Sequence, residues 1–125
     1  MVSGKSALKR DEGNKRVPPD ILHAAAVGDV NEALAAIRED ENCITEVNEI
    51  NQNAIQIALL NFHEPVAYLL LNETDISVTH KDALDRDALD IALFGSSEEI
   101  TVAINERWYD ERQLQDANEL DAPEI

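Results

Sequence analysis

Cysteine occurs once in the 125 residues, as Cys43. The chain can therefore form no intramolecular disulfide and no cysteine-built zinc site. Aromatic side chains are scarce: two phenylalanines, two tyrosines and one tryptophan. Any core must come from Ala, Leu, Ile and Val. No apolar run reaches the ~18 residues that a membrane-spanning helix needs, so no membrane span is expected. The opening residues Met1–Arg10 lack the apolar centre of a secretory signal, and a reducing cytoplasm is the expected location. Positive charge is also short, with ten Lys and Arg against 26 Asp and Glu, for a net charge of −16. A surface that acidic repels nucleic-acid phosphates and anionic lipid. Direct nucleic-acid binding and membrane binding are thus unfavourable, and a basic protein is the partner that the charge favours.

The few cations are unevenly placed. Residues 1–16 hold five basic and two acidic residues, while residues 17–125 hold five basic and 24 acidic ones. Residues 1–17 mix Ser, Gly, Lys, Arg and Asn without helical period and read as a flexible basic tail. Pro18-Pro19-Asp20 marks the start of structure, because proline and an acidic residue suit a helix beginning. At the other end, residues 110–125 read as an acidic tail. It could extend the last helix briefly, and disorder is expected beyond Asp116.

What the chain does have is a period. Shifted by 34, residues 44–71 and 78–105 share six identities: Thr45/Thr79, Ala54/Ala88, Ile57/Ile91, Ala58/Ala92, Leu59/Leu93 and Glu64/Glu98. Other pairs match in kind, among them Asn48/Asp82, Asn51/Asp85 and Asn53/Asp87. An opening segment fits the same frame through Ile21/Ile55, Ala24/Ala58 and Ala33/Ala67. A period of this length, built from two short apolar helices and a polar connection, signals repeated helix pairs. The expected units are about 18–41, 42–73 and 74–109, with helices of about eight to ten residues. Alanines at 24, 58 and 92 would let one inner helix lie close to the next. Glu98, Glu99, Glu106 and Arg107 are available to make the last outer face polar.

Asn53-Ala54-Ile55-Gln56-Ile57-Ala58-Leu59 and Asp87-Ala88-Leu89-Asp90-Ile91-Ala92-Leu93 resemble the inner-helix signature of ankyrin repeats. Val66-Ala67-Tyr68-Leu69-Leu70-Leu71 is similar to that family's second helix, and Ile21–Asp29 to its N-terminal cap. The resemblance covers about residues 18–107. It implies an all-α fold: an ankyrin-like stack of short antiparallel helix pairs with connecting turns, an α-solenoid. The Thr-Pro of the family signature is absent. Its preceding glycine is replaced by Asn51 or Asp85, residue types that tolerate left-handed backbone. The inter-helix glycine remains at Gly28, and Asn61 and Gly95 are expected to take that role later.

The resemblance also implies a non-catalytic protein-binding module whose partners meet the loop tips and inner helices. That places Glu46, Glu49, Gln52 and Gln56 on the binding face of one repeat. His80, Lys81, Arg86 and Asp90 take the matching place in the next. Phe62, Phe94 and Trp108 lie near helix ends, and aromatic side chains are common interface anchors. The exposed end near Trp108 also offers a surface for homodimerisation. A sharper version of the reading is an inhibitor or immunity protein that masks a basic enzyme, such as a nuclease, by mimicking phosphate. A reading of another class is a metal-dependent enzyme using Asp82, Asp85, Asp87 and Asp90 with His80. The spacing of those aspartates does not match a calcium loop, and their bland role is to shape a turn and start a helix. Catalysis has little else to rest on, and no cofactor is expected.

Overall fold

The computed structural model describes residues 17–121, with side chains as far as Gln115. The expected basic tail at 1–17, apart from Val17, and the last four residues lie outside the described residues. Within them the chain is all-helical, with six α-helices and no strand. They are α1 (Ile21–Val27), α2 (Val30–Glu39), α3 (Ala54–Leu60), α4 (Glu64–Glu73), α5 (Ala88–Gly95) and α6 (Glu98–Asp121). A short 3-10 turn at Glu41–Thr45 follows α2.

The starts and stops are written locally. Asp20 caps α1 by accepting from the amides of Leu22 and His23, and Asp29 caps α2 by accepting from Glu32. Between them Gly28 takes φ 81° and closes α1 in the left-handed conformation. A side chain at Gly28 would also meet the His63 ring, since an added Cβ would lie 2.6 Å from Nδ1. Asn53 with Gln56, and Asp87 with Asp90, form reciprocal capping boxes that open α3 and α5. Glu32 ties the first pair together: its carboxylate accepts from the Asp20 amide at 3.0 Å and pairs with His23 Nδ1 at 2.9 Å.

Helices of seven or eight residues are marginal alone, so α1, α3 and α5 depend on packing. Every residue of α3 from Ala54 to Leu59 is buried. It packs against α1 on one side and α5 on the other, while α4 contacts both α2 and α6. Ala24, Ala58 and Ala92 are all buried, as close approach of the inner helices requires. Leu70, Ile100 and Ile104 complete the core from the outer helices.

The loops repeat as faithfully as the helices. Asn48 Oδ1 accepts from the amides of Ile50 and Gln52, and Asp82 Oδ1 accepts from Leu84 and Arg86. Asn51 and Asp85 then turn the chain at φ 64° and 66°, as expected of those residue types.

Two expectations need correcting. The left-handed residue between α3 and α4 is Phe62, at φ 61°, whereas Asn61 sits at φ −100°. Gly95 is the last residue of α5, and the cap after it, Ser96, is extended. The frame accounts for Phe62, which lies 34 residues after Gly28, but the left-handed turn does not recur at Ser96, the next position in the frame. The second correction concerns the C-terminus. In place of a last helix ending near residue 109, extended only briefly and disordered beyond Asp116, α6 runs for 24 residues to Asp121. Its middle is fastened down. Arg107 donates to the carbonyls of Leu71, Thr74 and Ile76 at 3.0, 3.0 and 2.7 Å. Trp108 Nε1 donates to Asp87 at 2.8 Å, and Glu111 accepts from the Val78 amide at 2.7 Å. Arg107 is therefore not a solvated end-facing charge but the group that satisfies carbonyls left open after α4.

Candidate partner-binding groove

Between α3 and α5 the surface opens into a cavity of about 320 Å³. Leu59 and Leu60 form one wall, and Ile91 and Gly95 the other. Phe62 and Phe94 stand at its lips, 73% and 95% exposed. Large aromatic rings that solvated need a reason in a chain with so few. Arg86 and Asp90 supply the polar edge.

The loops set the electrostatics of that edge. Arg86 reaches Asp82 Oδ2 with Nε at 3.1 Å and Nη2 at 2.9 Å. The Asp82 side chain is fully shielded from solvent. Burial pushes its pKa up. The Arg86 amide and guanidinium, Gln52 Nε2 and the Leu84 amide together pull harder the other way, and the carboxyl ends below its ordinary value. The charge of Arg86 is thus already answered within the protein. Asp90 is exposed; one carboxylate oxygen accepts from the Asp87 amide at 3.1 Å. The net character of the groove is apolar with an acidic rim.

Four of the residues proposed from sequence come together here: Phe62, Arg86, Asp90 and Phe94. Glu46, Glu49 and Lys81 are exposed on the loops. Trp108 is half-buried and held by Asp87 on the α6 side. His80 is half-buried, with Nε2 2.7 Å from the Asn51 carbonyl oxygen.

Gln52 and Gln56 must be withdrawn from the binding face. Both are buried, and their side chains serve the fold. Gln56 donates to the carbonyls of His80 and Arg86 at 3.0 and 2.8 Å, and Gln52 donates to Asp82 at 3.3 Å. The second loop covers them. Sequence reading missed the groove walls because Leu59, Leu60 and Ile91 look like ordinary core residues. The only available signal was that Leu60 and Phe94 occupy the same frame position.

The aspartate run takes structural places. Asp82 organises its loop, Asp85 turns it, Asp87 caps α5 and Asp90 closes that cap. Among the described residues no group of three His, Cys, Asp or Glu is arranged to hold a metal ion. Cys43 is buried, and its thiol is pushed up by burial and then by the charges of Glu46 and Asp40. Elsewhere, Glu41, Glu73 and Asp75 border a second hollow, of about 410 Å³. Among the described residues no helix is long and apolar enough to cross a membrane.

Compared with known proteins, the chain matches no protein-family model, and no curated sequence shows significant similarity to it.

Proposed function

We propose that the chain is a non-catalytic protein-interaction module of ankyrin-like build, and that it receives a basic protein on the α3–α5 groove and the acidic loop tips. The ankyrin-like part of the reading is supported by helix pairs recurring at 34 residues and by inner helices meeting through alanine. Left-handed turns at Asn51 and Asp85 and hydrogen bonds between successive loops support it further. The observation that carries the functional part is the groove itself. Two exposed phenylalanines flank an apolar floor, with Asp90 at its rim, in a region of 24 acidic and five basic residues. Apolar anchors hold such a contact, and charge brings the partner in and sets its orientation.

The test is capture on the immobilised full chain from lysate of its source, eluted from about 0.05 to about 0.5 M NaCl. A basic protein should be retained in stoichiometric amount and released as salt rises. The Phe62→Ser/Phe94→Ser variant should lose it. Retention that ignores both salt and the two phenylalanines would overturn the reading. If the retained protein is a nuclease or other enzyme whose activity falls on binding, the chain acts as its inhibitor.

A further inference from the structure

The α3–α5 groove calls for a chemistry that the chain itself carries elsewhere. Arg86 is answered by Asp82, so the charge left at the rim is the exposed carboxylate of Asp90. An apolar floor beside a carboxylate takes an apolar side chain with cations next to it. In residues 17–125, three of the five cations are already committed. Arg86 is paired with Asp82, Arg107 is held by the carbonyls at and after the end of α4, and Arg112 lies over the Trp108 ring at 5.8 Å.

The other five of the ten Lys and Arg stand in residues 1–16, against two acidic residues there. This segment lies outside the described residues, and its sequence has the pattern that the groove requires. Met1, Val2 and Leu8 are its large apolar residues, and only Leu8 adjoins basic side chains, those of Lys9 and Arg10.

The segment is also long enough. An added Cβ on Gly28 would meet His63, and one on Gly95 would meet Phe62, so the ends of α1, α3 and α5 stand in one row. Hydrogen bonds from Asn51 to Lys81 and from Gln52 to Asp82 set the starts of α3 and α5 side by side. Neighbouring helices lie about 8–10 Å apart, which puts the groove about 15 Å across from α1. The phenylalanine lips, at the row of helix ends, lie about 10 Å further along the axes. The direct span from the start of α1 is thus about 18 Å. Val17, exposed, leads into α1 at that start. The chain from Leu8 to Val17 extends to ~30 Å, which leaves slack for a path over the surface.

We propose that residues 7–10 of the chain's own N-terminal segment occupy the α3–α5 groove, with Leu8 between Phe62 and Phe94 and with Lys9 and Arg10 toward Asp90. This rests on the reading of the groove as the site of a basic partner and adds its regulation, because that partner must displace the segment. A short tether holds its segment at an effective concentration of about 1 mM. A contact with an intrinsic Kd of only ~1 mM then fills about half of the grooves and weakens the partner about twofold. The segment therefore tunes binding rather than blocking it, and it disfavours basic proteins that lack an apolar anchor.

Nuclear magnetic resonance of the isotope-labelled full chain tests the contact, with a nitroxide on Ser6→Cys and with Cys43→Ala removing the other thiol. At about 0.05 M NaCl the amide signals of Leu60, Phe62, Phe94 and Gly95 should lose most of their intensity relative to the reduced label, and they should recover at about 0.5 M. Adding Leu8→Ser/Lys9→Glu/Arg10→Glu should abolish the loss. Should Cys43→Ala fold poorly, shift differences at the same amides between the unlabelled full chain and this triple variant give the same reading. A spin-labelled chain without isotope, mixed with isotope-labelled chain without the spin label, should leave the signals intact, since the contact is made within one copy. Groove signals untouched by the label overturn the proposal. So do losses centred on the Glu41–Glu73–Asp75 hollow, losses that persist in the triple variant, or equal losses in the mixed sample. The partner reading fails separately. Capture that depends on Phe62 and Phe94, beside unaffected groove signals, would remove the segment and keep the partner. Groove losses beside capture that ignores the two phenylalanines would keep the segment and remove the partner from the groove.

Discussion

Asp82 carries its charge on a side chain that solvent does not reach, and the geometry around it separates what the charge does from what the shape does. Its counterpart Asn48 performs the same loop-closing bonds to the amides two and four residues ahead. A neutral amide is therefore sufficient for the turn, and the carboxylate adds the bidentate pair with Arg86. Asp82→Asn should cost ~1 kcal/mol and Asp82→Ala ~2–3 kcal/mol, because only the second leaves buried amides without acceptors. Equal losses in urea unfolding would refute that division. The pH dependence has a definite sign. A carboxyl held below its ordinary value of 3.8 contributes stability that is complete above that value. The contribution is lost as pH falls through the lower folded value. Asp82→Asn should accordingly flatten the acid limb of the stability profile below about pH 4.

Among the elements, α6 departs most from the repeat. Its first two turns behave as the outer helix of a third pair, and its middle closes the molecule. Arg107 lies where a helix C-terminus needs a cation: the Leu71 carbonyl belongs to the last turn of α4, and those of Thr74 and Ile76 follow it. Arg107→Ala should cost ~2–3 kcal/mol by orphaning these carbonyls. Arg107→Lys should recover only part, since an ammonium cannot reproduce the planar fork. Hydrogen exchange through residues 74–79 reports the same loss locally, and unchanged protection there would refute the role. Little of this was legible in the sequence. The repeated pairs were, because apolar spacing, capping residues and the turn-forming Asn51 and Asp85 act within a few residues. Three features were not. Phe62 adopts the left-handed turn that Gly28 takes 34 residues earlier, although its residue type does not favour that conformation, and Ser96 at the next position of the frame is extended. Gln52 and Gln56 look like surface glutamines because a bond to a carboxylate 30 residues away, or to carbonyls 24 and 30 residues away, leaves no local trace. The extension of α6 depends on partners that Arg107, Trp108 and Glu111 find in the preceding pair. The groove was half legible: its aromatic lips could be named, and its walls could not be told from core.

For the whole molecule the governing quantity is the charge imbalance of residues 17–125. Twenty-four carboxylates against five cations cannot all be paired, and few ion pairs relieve them. Among the described residues the close ones are Arg86–Asp82 and His23–Glu32. Folding gathers the remaining carboxylates, and their repulsion is smaller in the more expanded unfolded chain. Raising NaCl from about 0.1 to about 1 M shortens the screening length from ~10 to ~3 Å and should stabilise the fold. A gain of ~1 kcal/mol corresponds to a rise in Tm of about 4–8 °C for a domain near this size. Any self-association would also raise Tm with salt, so the measurement belongs in dilute solution. Salt strengthens apolar burial as well, and a charge-reduced chain isolates the electrostatic part. Glu41, Glu73 and Asp75 are exposed around one hollow, away from the groove. Glu41→Gln/Glu73→Gln/Asp75→Asn should start from a higher Tm and climb less steeply with NaCl. Parallel salt curves for the two proteins would mean that repulsion at this hollow does not limit stability. A flatter curve would show that this part of the acidic surface is retained at a cost to the fold, which is what a surface used to draw in a basic partner requires.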